Sequence, residues 1–241
     1  MTAPASESCE RVTRDVGDRD ATSSAIKDAG RRLLRTRGET GVGMRAIARE
    51  VGMPVSSLYR FYADRSELVT DLRTEAYENL VAGLADARDA SQGPAAVDRW
   101  CAMAHALRAW RTANPDEFAL LYSPAGSECG ARAPQVHQQR MSPAALFADT
   151  VSEAVATGEL MPRAGINCVH EGTQTWRDRR GVPVTPAVVH LVMSGWSAMI
   201  GYLCLEPARS ALTADPDQQF TEFLRVVTTG MGFGERKRPP A

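Results

Sequence analysis

MRAIAREVGMPVSSLYRFYADRSEL, residues 44–68, is the stretch whose reading decides the fold. Ala46, Ile47 and Val51 recur at helical spacing, so Met44 to Glu50 or Val51 reads as a short helix with one buried face. Gly52 follows, where the backbone reaches positive φ without steric cost, and ends that helix. Pro54 suits the first turn of the next helix because it has no N–H to leave unpaired there. This second helix, about Val55 to Tyr59 or Phe61, turns Leu58 inward and leaves Val55, Ser56, Ser57 and Arg60 largely outward. A helix of little more than two turns cannot stand alone, because nucleation costs more than so few hydrogen bonds return. It must pack on its neighbours, and the face it then presents is small, polar or basic.

The neighbours are legible on both sides. Upstream, Ile26, Ala29, Leu33 and Leu34 form the buried stripe of a helix that starts near Thr22 to Ser24 and ends at Gly38, with Arg31, Arg32 and Arg35 outward. Downstream, Asp64-Arg-Ser-Glu67 resembles a capping box, with Asp64 as cap and Glu67 reaching back. Leu68, Val69, Leu72, Ala76 and Leu80 then continue one apolar face towards Ala90. Two short helices joined by a tight turn and backed by such a frame have the form of a helix-turn-helix, whose second helix enters the DNA major groove.

Charge agrees once it is divided. The whole chain of 241 residues carries a formal net charge of −1. Residues 23–70 hold nine Lys and Arg against five Asp and Glu, a net of +4 where phosphates would be met. Residues 1–22 lack periodicity and are rich in Ser, Thr, Asp and Arg, so they are expected to be a disordered arm. Its polar opening does not read as a signal peptide, and no apolar run reaches the roughly 18 residues that span a bilayer. The expected location is the cytoplasm. Five widely spaced cysteines, without CxxC or finger spacing, read as incidental thiols.

From Pro94 onward helix follows helix. Pro94 to Thr112 is amphipathic, and Asn114-Pro-Asp-Glu117 marks a restart, with Asn114 as cap and acids near the positive end of the helix dipole. Pro134 to Thr157 is a further helix, with Ser142-Pro143 as a candidate break. Pro162 to Pro186 is irregular. Ala187 to Leu205 is apolar all round, which means it is covered on more than one side, and about Pro216 to Met231 is the last helix. These closing helices are the dimer candidates, through Val189, Val192, Trp196, Ile200, Leu203, Phe220, Phe223 and Val227, because two from each subunit make an isologous four-helix interface.

The run Ile26…Ala29…Leu33-Leu34…Gly38…Met44-Arg45-Ala46-Ile47-Ala48…Val51-Gly52-Met53…Ser57-Leu58-Tyr59-Arg60-Phe61-Tyr62…Arg65-Ser66-Glu67-Leu68 resembles the DNA-binding domain of TetR-family (tetracycline-repressor-like) transcriptional regulators. Gly43-Met44 stands where hydroxyl residues are usual, Phe61-Tyr62 reverses the commoner order, and Arg65 replaces a usual lysine. Gly195 to Gly201, following Phe118-x-x-Leu-Tyr-Ser-Pro124, is similar to one of the family's C-terminal domain types. The resemblance implies an all-α protein: a three-helix helix-turn-helix domain at 23–70, a larger effector-binding and dimerisation domain at 71–232, and a frayed tail at 233–241.

It further implies a homodimer that binds a near-palindromic double-stranded operator and is released by a small-molecule effector, with no membrane partner. Arg45 is the expected guanine or phosphate contact. Val55 and Ser56 would meet base edges, and Tyr59 and Arg60 would bind phosphate, with Arg65, Ser57 and Tyr62 assisting. Packing is the competing role for Val55 and Tyr59. Trp100, Met103, His105, Leu107, Trp110, Phe118, Tyr122, Trp176 and Met193 are the candidate cavity lining, with core packing as the competing role for each. Cys168-x-His170-Glu171 is a fragment of a metal site without located partners, and neither metal nor cofactor is expected. No nucleophile elbow, phosphate-binding glycine loop or HExxH supports an enzyme. A helical dimer that binds a ligand or a protein but no operator is the remaining rival.

Overall fold

The computed structural model describes residues 5–93, 95–122, 134–161, 184–209 and 215–234. Among them the chain is helical throughout, as expected, with a single isolated bridge between Leu160 and Phe233. The helices are α1 (Ala5–Gly41), α2 (Met44–Val51), α3 (Val55–Leu58), α4 (Arg65–Asp89), α5 (Ala96–Ala113), α6 (Pro115–Tyr122), α7 (Pro134–Thr157), α8 (Pro186–Arg209) and α9 (Pro216–Met231).

Two compact units emerge. One comprises Met1–Ala76 with Asp116–Arg132, and the other Tyr77–Pro115 with Ala133–Ala241. The first, the head, is closed by Ile26, Ala29, Leu33 and Leu34 of α1, Met44, Ile47 and Ala48 of α2, Leu58 of α3 and Leu68, Val69 and Leu72 of α4, with Leu120 of α6 in the same cluster. Lys27 and Arg31 of α1 both pair with Glu75 of α4.

Local signals explain most boundaries. Gly38 (φ 67°) interrupts α1 where the helix was expected to end. Residues 5–22, expected as a disordered arm, lie instead within α1. The Ser142-Pro143 step does not break α7, and Pro143 is buried inside it. Asn114 does not cap α6 by its side chain but closes α5, its amide donating to the Trp110 carbonyl at 3.0 Å.

The second unit, the body, packs α5 against α7, α8 and α9, with further contacts between α7 and α8 and between α8 and α9. At its centre Trp100 meets Phe147 edge-on (5.4 Å between ring centroids), and Phe147 meets Trp196 (5.7 Å). A Cβ on Gly195 would lie 3.0 Å from Met231 Sδ and 3.3 Å from Trp100 Cζ2, so close approach explains that glycine. Arg108 of α5 donates to Glu206 Oε1 of α8 and Asp217 Oδ1 of α9, both at 2.6 Å, while its guanidinium lies over Phe220. Asp215 caps α9 through the Asp217 and Gln218 amides. Within α8, Pro186–Pro207 is long and apolar enough to cross a bilayer by length and composition (mean hydropathy 1.6), which the sequence reading did not find; half of it is buried inside the unit as a core helix.

Half-buried Glu117 of α6 has its carboxyl pushed above the ordinary range, chiefly by burial, against the pull of Arg31 and Arg35 and with a further push from Glu75 and Asp116. The folded state therefore binds this proton more tightly than the unfolded state. Stability from this group is present at low pH and is lost as pH rises through the raised value. Glu117→Gln is expected to raise the thermal midpoint at pH 7, with the gap to wild type closing as pH falls below the ordinary carboxylate range. A gap that stays constant between pH 7 and pH 4 contradicts this.

Candidate nucleic-acid interface

The reading element is built by backbone constraint first. Gly52 takes φ 74°, its left-handed conformation turns the chain, and the Met53 amide closes on the Ala48 carbonyl at 2.9 Å. Pro54 stands just before α3 rather than within its first turn, and its carbonyl receives the Ser57 and Leu58 amides. After four helical residues the chain continues in tight turns to Tyr62, whose amide donates to the Leu58 carbonyl at 3.2 Å. Leu58 is the single fully buried anchor of α3. Leu58 fixes the rotation of that helix and leaves Ser56 fully outward.

Arg45, Ser56, Tyr59 and Arg60 are exposed, with Tyr59 at 52% of its maximal surface. Val55 is partly buried against the head core, and Ser57 is also partly buried. Arg49, which stands four residues after Arg45 and was not singled out from sequence, is exposed as well. Its signal was that i, i+4 spacing, which puts both guanidiniums on one face of α2. Among the described residues, no carboxylate ion pair engages Arg45, Arg49 or Arg60, whereas Arg32 pairs with Glu50 and Arg31 with Asp28 and Glu75.

Two residues expected to assist at phosphates are engaged inside the head. Tyr62 is buried, and its hydroxyl donates to Asp71 Oδ2 at 2.7 Å. Burial first, then that hydrogen bond, pushes its pKa upward. Arg65 directs Nε to the Val42 carbonyl (2.7 Å) and Nη2 to the Glu39 carbonyl (2.6 Å). Asp64 caps α4 through the Glu67 amide at 2.9 Å, and Glu67 reaches back to the Ala63 amide.

The candidate cavity residues divide between the units. Trp100, Met103 and Leu107 are enclosed in the body core; Trp110 and Met193 are half-buried there, and His105 is exposed with its ring edge on Phe220. Burial first and then Arg108 lower the His105 pKa, against a smaller upward pull from Asp217. Phe118 and Tyr122 belong to the head and pack on each other at 4.9 Å. Trp176 and the Cys168-x-His170-Glu171 fragment lie outside the described residues. Of the residues expected at a dimer interface, Val189, Val192, Trp196, Leu203 and Phe220 are buried in the subunit's own core, and Ile200, Phe223 and Val227 are partly buried.

A basic helix-turn-helix head on a separate helical body is the build of a DNA-binding transcriptional regulator. Residues 26–72 match the family model for bacterial regulatory proteins of the tetR family, and residues 100–227 match that for the tetracyclin repressor-like C-terminal domain. The chain belongs to the TetR family. It is 31% identical over 201 residues to the HTH-type transcriptional regulator Rv1816 of Mycobacterium tuberculosis, covering 81% of this chain and 85% of that protein. Its fold is shared with a tetR-family regulatory protein from Rhodococcus RHA1 (TM-score 0.62, 16% identity, 89% of this chain and 98% of the other). The same holds for the Bacillus subtilis regulator FadR in complex with stearoyl-CoA (TM-score 0.60, 10% identity, 86% and 98%).

Proposed function

We propose that this protein is a homodimeric repressor that binds a near-palindromic operator in the cytoplasm and is released by a small-molecule effector. The observation that carries the reading is the exposed set Arg45, Ser56, Tyr59 and Arg60 on α2, α3 and the turn that follows α3, whose rotation is fixed by Leu58. Arg45, Tyr59 and Arg60 supply guanine or phosphate contacts, and Ser56 with the accessible edge of Val55 meets bases. Arg49 joins the phosphate contacts. One short helix reads only a few base pairs, so two heads are required for useful discrimination.

Support for the dimer comes from what α8 and α9 leave outward. Ser194, Ala198, Gly201 and Leu205 recur at helical spacing on α8, and Leu205 and Val226 are 60% and 63% exposed. Between the two helices a cleft of about 350 Å³ is lined by His190, Leu191, Ser194, Gly195, Ala198, Val226, Val227, Gly230 and Met231. Small residues beside exposed apolar ones let a second copy's helices approach closely. Stearoyl-CoA is FadR's own ligand; for this chain the effector is a small molecule received in the body.

Selection of bound sequences from random DNA tests the reading directly, and near-palindromic sequences are the expected product. With the selected duplex, Arg45→Ala and Tyr59→Ala are each expected to weaken binding by about 1–3 kcal/mol if they replace a base contact, or to lower the salt slope by about one if they replace a phosphate contact. Unchanged affinity and slope in both variants would show that other residues read the DNA.

A further inference from the structure

The body's family match begins at residue 100 and therefore includes α6, yet α6 is integrated into the head. Leu120 sits in the head core, 3% exposed. Its carbonyl belongs to the last turn of α6, where helix carbonyls lack partners within the helix. Arg73 of α4 supplies one: Nε donates to the Leu120 carbonyl at 3.3 Å. The same guanidinium directs Nη2 to Glu39 Oε1 at 3.1 Å, and its side chain is only 3% exposed. Glu39 lies in the last turn of α1, just past the Gly38 kink and five residues before α2 begins, and its carboxylate is 3.9 Å from Arg65 Nη2. Arg65 in turn holds the Glu39 and Val42 carbonyls, and Val42 stands two residues before α2 begins.

We propose that Arg73 and Glu39, with Arg65, form an ionic clasp that sets the entry of α2 and registers the end of α6 within the DNA-binding head. They are positioning residues, not DNA contacts, and the proposal rests on the operator-binding reading above. A buried ion pair is a poor device for stability alone, since an apolar pair of similar volume does as well or better. It is a good device for geometry, because a planar guanidinium satisfies two acceptors only in one arrangement. Arginine at position 65 follows the same logic: its fork reaches two carbonyls at once, which one lysine ammonium on a flexible stem would not hold in register. The clasp joins three parts of the chain that are distant in sequence: the end of α1, α4 and the end of α6.

The test uses the full chain in two arms. In the first, amide exchange is compared between wild type and Glu39→Gln, which keeps an acceptor oxygen but removes the charge. Glu39 has no bond to α6, so the decisive signal is at a distance. Exchange is expected to rise about tenfold or more at Val42–Val51 and also at Ala119–Tyr122, the size that follows from losing a charged hydrogen bond. Ile26–Leu34 of α1 should stay within about threefold of wild type by the same local-opening argument. A response at Val42–Val51 alone, or an equal rise through α1, overturns the clasp. In the second arm, Arg73→Gln should weaken the selected duplex while leaving the salt slope unchanged, because a buried guanidinium releases no counterions. A reduced slope would make Arg73 a phosphate contact and overturn the proposal. Should Arg73→Gln not fold, Arg73→Lys replaces it; lysine keeps the charge but lacks the planar fork whose Nε and Nη2 reach the two acceptors separately, and the same weakening at constant slope is expected. If wild type selects no duplex, the operator reading fails, while the exchange arm still decides the clasp.

Discussion

Leu58→Ala is expected to remove operator binding while leaving the body folded. Leu58 has no exposed surface, and α3 has no other buried residue. Truncating a buried leucine costs about 2–5 kcal/mol in lost transfer and cavity terms. In a four-residue helix nothing local offsets this, because helix nucleation is itself unfavourable. Charged against the reading competence of one head, that loss corresponds to a weakening of about thirtyfold or more. Amide exchange should accelerate through Val55–Tyr62, and the body's thermal transition should not move. Binding of the selected duplex within threefold of wild type would show that α3 is not oriented by this anchor.

Trp100→Ala is expected to have the largest effect on stability. The indole is 1% exposed, lies edge-on to Phe147, and sits against the close approach of Gly195. Deleting a buried aromatic of this size costs about 3–5 kcal/mol. For a unit of this size that lowers the thermal midpoint by about 10 °C or more. The control is Trp100→Phe. Among the described residues the buried Nε1 has no hydrogen-bond partner, so phenylalanine keeps much of the ring contact and removes an unsatisfied donor. Its loss should be well under half that of alanine. Equal losses in the two variants would mean that volume beyond a phenyl ring, and not ring contact, holds the centre of the body.

What was legible in the sequence was what the chain dictates locally. Gly52 and Gly38 punctuate helices because their backbone angles are ones other residues rarely adopt, and Asp64 caps α4 through the amide three residues away. Leu58 was legible as the inward residue because helical periodicity leaves one apolar position facing the frame. The limits follow the same rule. The resemblance places Arg65 as assisting at phosphates, and nothing local reveals that Nε and Nη2 also reach carbonyls at positions 42 and 39 through the fold. Arg73 carried no signal at all, because its acceptors lie 34 and 47 residues away.

The closing helices show a different limit. α8 is apolar on every face, so its pattern does not say which stripe enters the subunit's own core. Val189, Val192 and Leu203 turn inward, and the outward stripe is the small-residue row Ser194, Ala198 and Gly201, which hydrophobicity alone passes over. In α1 the error ran the other way. Polar composition without apolar periodicity suggests disorder, whereas the backbone is helical from Ala5.

The central claim is that two copies of this head read two halves of one site. The most direct measurement is the affinity of the full chain for the selected duplex, for the same duplex with one half-site scrambled, and for it with the half-sites moved apart by five base pairs, each across a salt series. The account predicts a substantial loss for both altered duplexes, since scrambling removes one head's contacts and half a helical turn puts the second half-site on the opposite face. Equal affinity for all three duplexes at every salt concentration would contradict it.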